Sequence, residues 1–144
     1  MIAEAKEFAP YETGGVFMGY RVRDSVIITN VIGSGPKAVH KLKSYRPDTD
    51  HEQHAIAAIY EESHRMYSYL GDWHTHPSGI LRLSGKDKKA LAAIAKDKEA
   101  RVEHPIMAIL AGEGDDWRFH VWKFHGRVLS IFVLRLHSTK LRLY

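Results

Sequence analysis

The sequence predicts an α/β fold of the mixed (α+β) kind, one mixed β-sheet flanked by two main helices, and three features point to it. Short runs rich in β-branched and aromatic residues recur along the chain. Two stretches between them place apolar residues at helical spacing. The nearly all-apolar run Pro105 to Ala111 reads as a strand buried on both faces. No repeat, low-complexity tract or Pro/Gly/Ser-rich linker interrupts the 144 residues, so 1–144 is expected to be a single domain with a core of its own.

The elements follow in order. Gly15 to Val22 and Ser25 to Ile32 are β-prone, and Arg23-Asp24 between them suits a hairpin. Gly33-Ser34-Gly35-Pro36 ends the second run, and a short third strand precedes Arg46-Pro47. Asp48-Thr49-Asp50 offers helix caps. Ile56, Ile59, Tyr60, Ser63 and Met66 then predict a helix from about Asp50 to Met66. Tyr67 to His76 is the next strand. Ser84 opens a second helix with Leu91, Ile94 and Ala95 on one face. After Pro105 to Ala111, Trp117, Phe119 and Val121 alternate with Arg118 and His120, as in a half-exposed strand. Gly126-Arg127 turns the chain into Val128 to Leu136, a further strand or edge element.

Composition narrows the class. Hydrophobic residues make up 44% and charged residues 26%, ordinary values for a globular protein. No apolar run approaches the ~20 residues of a membrane span, so no membrane partner is expected. The start, Met1 to Glu7, has no apolar signal-peptide segment after it, which leads us to expect a cytoplasmic protein. A formal charge of +4 is mildly basic and is weak support for an acidic protein or nucleic-acid partner. The absence of cysteine excludes a thiolate metal site.

The chemistry concentrates in His74-Thr75-His76-Pro77-Ser78-Gly79 and the residues that follow. Two histidines at i, i+2 on an extended segment point to one side. Ser84-x-x-Asp87 has an ordinary reading as a capping box, and the histidines have one as a hydrogen-bonded strand pair. Their combination suggests more, because a loop from the strand to the helix start brings Asp87 back toward the histidines. Two imidazoles and a carboxylate leave one zinc position open for water, the mark of a catalytic rather than a structural site.

The order His-x-His-Pro, seven residues, then Ser-x-x-Asp, resembles the JAMM motif of the MPN (JAB, Mov34) metalloprotease family. Glu12-Thr13-Gly14-Gly15-Val16-Phe17-Met18-Gly19 is similar to that family's upstream glutamate segment. The resemblance runs from about Tyr11 to Gly126 and implies an MPN/JAB-like domain. It implies that His74, His76 and Asp87 hold one zinc (Zn2+) per chain and that Glu12 is the general base. It also implies that Ser84 donates to the oxyanion, with Thr75 and Pro77 serving geometry. The expected activity is that of a zinc-dependent isopeptidase or peptidase acting on a ubiquitin-like protein or its conjugate.

The chain lacks the two long insertions of the family's deubiquitinases. It is more like compact stand-alone bacterial JAB proteins, some of which act beside ubiquitin-like activating and conjugating enzymes in antiphage systems. Gly71-Asp72-Trp73-His74-Thr75-His76-Pro77 is especially like that group.

Two alternatives are a metal-free MPN scaffold and a DNA-associated protein like the RadC branch. A scaffold has no reason to keep Glu12, His74, His76, Ser84 and Asp87 together. Arg135, Lys140 and Arg142 would suit phosphates, but the interleaved Leu136, Leu141 and Leu143 fit packing or a partner interface better, so nucleic acid is not expected. His51-Glu52-Gln53-His54 is one residue short of the zincin box and is set aside. His40, His64, His104, His120, His125 and His137 read as surface or core-edge residues, and Trp73 and Trp122 as core.

Overall fold

The computed structural model describes residues 1–130. The expected run from Ile131 to Leu136 and the basic residues after it lie outside the described residues. A short helix α1 (Ile2–Phe8) precedes the hairpin β1 (Gly14–Val22) and β2 (Ser25–Ile32). A small hairpin, β3 (Val39–Lys41) and β4 (Ser44–Arg46), leads into α2 (Thr49–Glu62). Then come β5 (Ser68–His76), α3 (Gly85–Lys96), β6 (Ile106–Glu113), β7 (Asp116–Phe124) and β8 (Val128–Ser130). Six strands form one sheet in the order β2-β1-β5-β6-β7-β8, while β3 and β4 pair separately. Only β5 and β6 run parallel in the main sheet, with α3 crossing between them. The expected mixed sheet with two main helices is therefore what forms. Among the described residues no helix is long and apolar enough to cross a membrane.

Alternation along the strands sorts the core. Phe17, Trp73, Ile106, Ala108 and Val121 pack on one face, with Met1 beside them. On the other face α2 covers Val16, Met18 and Ile32 through Ile56, Ile59 and Tyr60, and α3 covers Met107, Ile109 and Ala111 through Leu91 and Ile94. Strand β6 is buried on both faces along all but its last residue, as its composition predicted.

Two departures from expectation and one irregularity of the sheet have local causes. Helix α1 is too short for a periodic signal and is held by Glu4, whose Oε1 accepts from the Ser34 backbone N–H at 2.9 Å, the Ser34 hydroxyl at 2.8 Å and the Thr13 hydroxyl at 3.1 Å. Helix α2 stops at Glu62 rather than Met66, because His64 and Arg65 turn left-handed (φ 53° and 66°) and the Ser63 hydroxyl oxygen takes the Tyr67 N–H. Met66 is left 69% exposed. In β5 the register slips opposite Phe17 and Met18. This bulge puts Tyr69 and Asp72 on the same side despite their spacing of three.

Candidate metal centre

Asp72, His74 and His76 alternate with the core residue Trp73 and so face the helices, near the end of β5 where the chain leaves for α3. The two histidine Nε2 atoms stand 3.1 Å apart. His76 Nδ1 donates to the Ile80 carbonyl at 2.8 Å, so the neutral ring keeps its lone pair on Nε2. Burial, reinforced by His74, pushes the His76 imidazole below its ordinary pKa, which favours that neutral, ligating form.

Asp87 joins them from the first turn of α3. Ser84 is the N-cap, its hydroxyl oxygen accepts from the Asp87 N–H at 3.2 Å, and Asp87 Oδ2 accepts from the Ser84 N–H at 2.6 Å. The capping box expected as the ordinary reading is thus formed. Its carboxylate has a second side, for Oδ1 lies 3.3 Å from His74 Nε2 and Oδ2 lies 3.7 Å from His76 Nε2. Burial would raise the Asp87 pKa, but the bond to His74, its charge and the Ser84 contacts outweigh it and hold the carboxyl below the usual range.

Glu12 sits just before β1, and the position of that segment is fixed by Thr75, which lies between the two histidines. The Thr13 N–H donates to Thr75 Oγ1 at 2.9 Å, the Thr75 N–H donates to the Thr13 carbonyl at 2.8 Å, and the threonine hydroxyl returns to that carbonyl at 3.3 Å. On its other side the Glu12 N–H donates to the Lys41 carbonyl at 2.8 Å, and His40 Nδ1 donates to the Glu12 carbonyl at 3.0 Å. Gly14 is required for this approach, because a Cβ there would collide with the Trp73 carbonyl and the Tyr45 ring. Burial raises the Glu12 carboxyl above its usual range, with the charge of His74 opposing and that of Asp87 adding.

The donor set fits a metal ion. His74, His76 and Asp87 can each offer one ligand atom, all within 4.8 Å of one another, and both carboxylate oxygens approach the imidazoles, Oδ1 that of His74 and Oδ2 that of His76. The side chains are 9%, 11% and 15% exposed, sheltered yet reachable. Among the described residues His74, His76 and Asp87 are the one such group that could hold a metal ion. His51 and His54 are elsewhere, on exposed turns of α2, and His54 Nδ1 is engaged with the Asp50 carbonyl at 2.6 Å. Sequence reasoning missed Glu4, which anchors the β1 approach, and the burial of Glu52. The signal for Glu52 was present, since it continues the α2 stripe one turn before Ile56.

A solution structure of a protein from Desulfitobacterium hafniense superposes with a TM-score of 0.68 over 91% of this chain and 82% of that one, at 20% identity, and shows the same fold. A "probable metalloprotease" of Sinorhizobium fredii is 39% identical over 124 residues, 85% of this chain and 76% of the relative. A "CD-NTase/cGAS isopeptidase" of Escherichia coli is 26% identical over 74% of this chain, and one of Enterobacter hormaechei is 26% identical over 78%. The aligned parts span 65% and 62% of those two relatives' own lengths. The profile of the family described as "Prokaryotic homologs of the JAB domain" matches residues 1–124, and the chain belongs to that family, with a metalloprotease and isopeptidases among its named relatives.

Proposed function

We propose that the chain is a zinc-dependent isopeptidase or peptidase that removes a ubiquitin-like protein from conjugates or precursors, with residues 1–144 acting as a single domain. One observation carries the reading: in a chain of the JAB family, His74, His76 and Asp87 each present one ligand atom, and these atoms lie within 4.8 Å of one another. The relatives named as isopeptidases support conjugate processing, and a ubiquitin-like conjugate as substrate would imply activating or conjugating enzymes as partners. Zinc is the metal we assign, because two imidazoles and one carboxylate are a catalytic zinc donor set that leaves a fourth position for water.

When bound, zinc supplies Lewis-acid polarisation and makes water a competent nucleophile near neutral pH. The chain's own residues do the rest. His76 stays neutral, and Asp87 stays ionised because of its neighbours. Glu12 takes the proton of the attacking water and hands it to the leaving amine, and its raised pKa suits a group that both accepts and returns a proton. The Ser84 oxygen accepts from Asp87 N–H, which leaves its own O–H free to donate to the oxyanion.

A contrast of two variants tests this, using a ubiquitin-like protein fused through its C-terminal glycine to a reporter amine. Glu12→Gln should keep one zinc per chain and lose ~10²–10⁴-fold in kcat. His76→Ala should lose the zinc as well. Wild-type turnover in Glu12→Gln would remove Glu12 as the base, and undiminished zinc in His76→Ala would remove the ligand assignment.

A further inference from the structure

A cavity of about 700 Å³ opens between α2, the β1–β5 strand pair and the segment that follows α3. This size is in the range of small-molecule sites. Its lining includes Glu52, a member of the His51–His54 motif that the metal chemistry does not use. Glu52 is 9% exposed, and its Oε1 has no hydrogen-bond partner. Native proteins rarely leave a buried carboxylate oxygen without a donor unless a ligand, ion or water meets it.

The surroundings define what could meet it. Asp72 lines the same cavity, and its Oδ1 accepts the Tyr69 hydroxyl at 2.5 Å. The charges acting on Glu52 are those of Asp72 and Asp48, both negative, and burial together with them pushes its carboxyl up to about 7. No lysine or arginine forms an ion pair with Glu52 or Asp72 among the described residues. Asp97 and Glu99 add two carboxylates on the α3 side, against the single cation Arg101. Because the whole chain carries +4, this acidic lining is a local property and not a general attraction for cations. The rest of the wall includes Val16, Met18, Ile56 and Ile94, which give a hard metal ion no oxygen ligands but suit methylene groups.

We propose that this cavity binds an aliphatic amine, with a primary ammonium head opposite Glu52 and Asp72 and the methylene chain along Met18 and Ile56. The ammonium supplies the missing donors and the missing positive charge together. Such a head comes from a free diamine or from a lysine side chain of a protein. None of Glu12, His74, His76, Ser84 and Asp87 lines the cavity, so chelator-treated protein should still bind the amine.

The test uses the full chain with labelled methionine methyl groups. One arm adds cadaverine, a second adds the peptide acetyl-Gly-Lys-Gly-amide, and a control adds the uncharged diol of cadaverine's length. The Met18 methyl should move and saturate with a Kd of ~1 mM or tighter, while the diol has no effect. Glu52→Gln, which keeps the side chain's size, should weaken binding by at least ~10-fold. Response to cadaverine alone assigns the site to free amines, and response to the peptide assigns it to lysine side chains. The proposal fails if neither amine moves Met18, or if the diol does as well as cadaverine. It fails also if Glu52→Gln binds like wild type, and the diol comparison decides even where that variant folds poorly.

Discussion

Asp87 and Glu52 are both shielded carboxylates on the helix-covered side of one sheet, yet their acidities move in opposite directions. Asp87 has a backbone N–H on one oxygen and an imidazole on the other, and it is held ionised. Glu52 has an unpartnered oxygen and the negative charges of Asp72 and Asp48 acting on it, and with its burial it is pushed up to about 7. Burial is common to both and alone would raise both. Partners therefore decide which buried acid can serve as a metal ligand and which waits for a cation or a proton.

The comparison can be broken at several points, and the largest effect is expected at Asp87. If zinc affinity of ~10–16 kcal/mol is shared among four ligands, Asp87→Ala should weaken metal binding by about 100- to 1,000-fold. Competition with a chelator measures this, and unchanged affinity would mean that the carboxylate serves only as a helix cap.

Glu52 comes next. Below pH 4.5 both folded and unfolded Glu52 are protonated, whereas between pH 4.5 and about 7 only the folded form keeps its proton. Stability attributable to this group therefore falls as pH rises through that window. Glu52→Gln should flatten the dependence and stabilise the protein at pH 8 by up to ~3 kcal/mol. Denaturant unfolding of both proteins at pH 5 and pH 8 measures it, and parallel pH profiles would contradict the account.

Thr75→Val should cost about 2 kcal/mol, because the buried Thr13 N–H loses its acceptor. It should also lower turnover with zinc content unchanged, since Glu12 rather than the ligands is displaced. Unaltered turnover would show that the clamp does not position Glu12. The smallest effect is expected where a carboxylate is partnered but solvated. The Lys6–Asp115 pair is exposed, so Lys6→Ala should leave the unfolding midpoint unchanged within error. A clear drop would mean that exposed pairing matters here as much as buried pairing.

What was legible in the chain follows from the range of the interactions. His74 and His76 share a face by the period of a strand, and Ser84 and Asp87 sit together by the geometry of a helix start. Both are local facts, and so the gathering of these residues could be anticipated. The main strands were legible for the same reason, with Ser25–Ile32 found at its observed bounds. The β3–β4 hairpin was seen only in part, because three-residue strands give almost no periodic signal. Glu4 was invisible because its partners, Thr13 and Ser34, are distant in sequence. Glu52 was overlooked because a glutamate is ordinarily taken as surface, although its position on the α2 stripe pointed inward.

If Asp87 serves as the proposed ligand, its two-sided use links metal loading to the dynamics of α3. Folding fixes Oδ2 against the Ser84 N–H and thereby aims Oδ1 at His74, so the ordering entropy of this ligand is met before any ion arrives. An ion that then engages the carboxylate restrains the first helical turn through the same side chain. Hydrogen exchange at the amides of Asp87, Lys88 and Lys89 should therefore slow on metal uptake and quicken on chelation, while the amides of α2 keep their rates. On the proposed reading, the opening rate of a helix end would report metal occupancy.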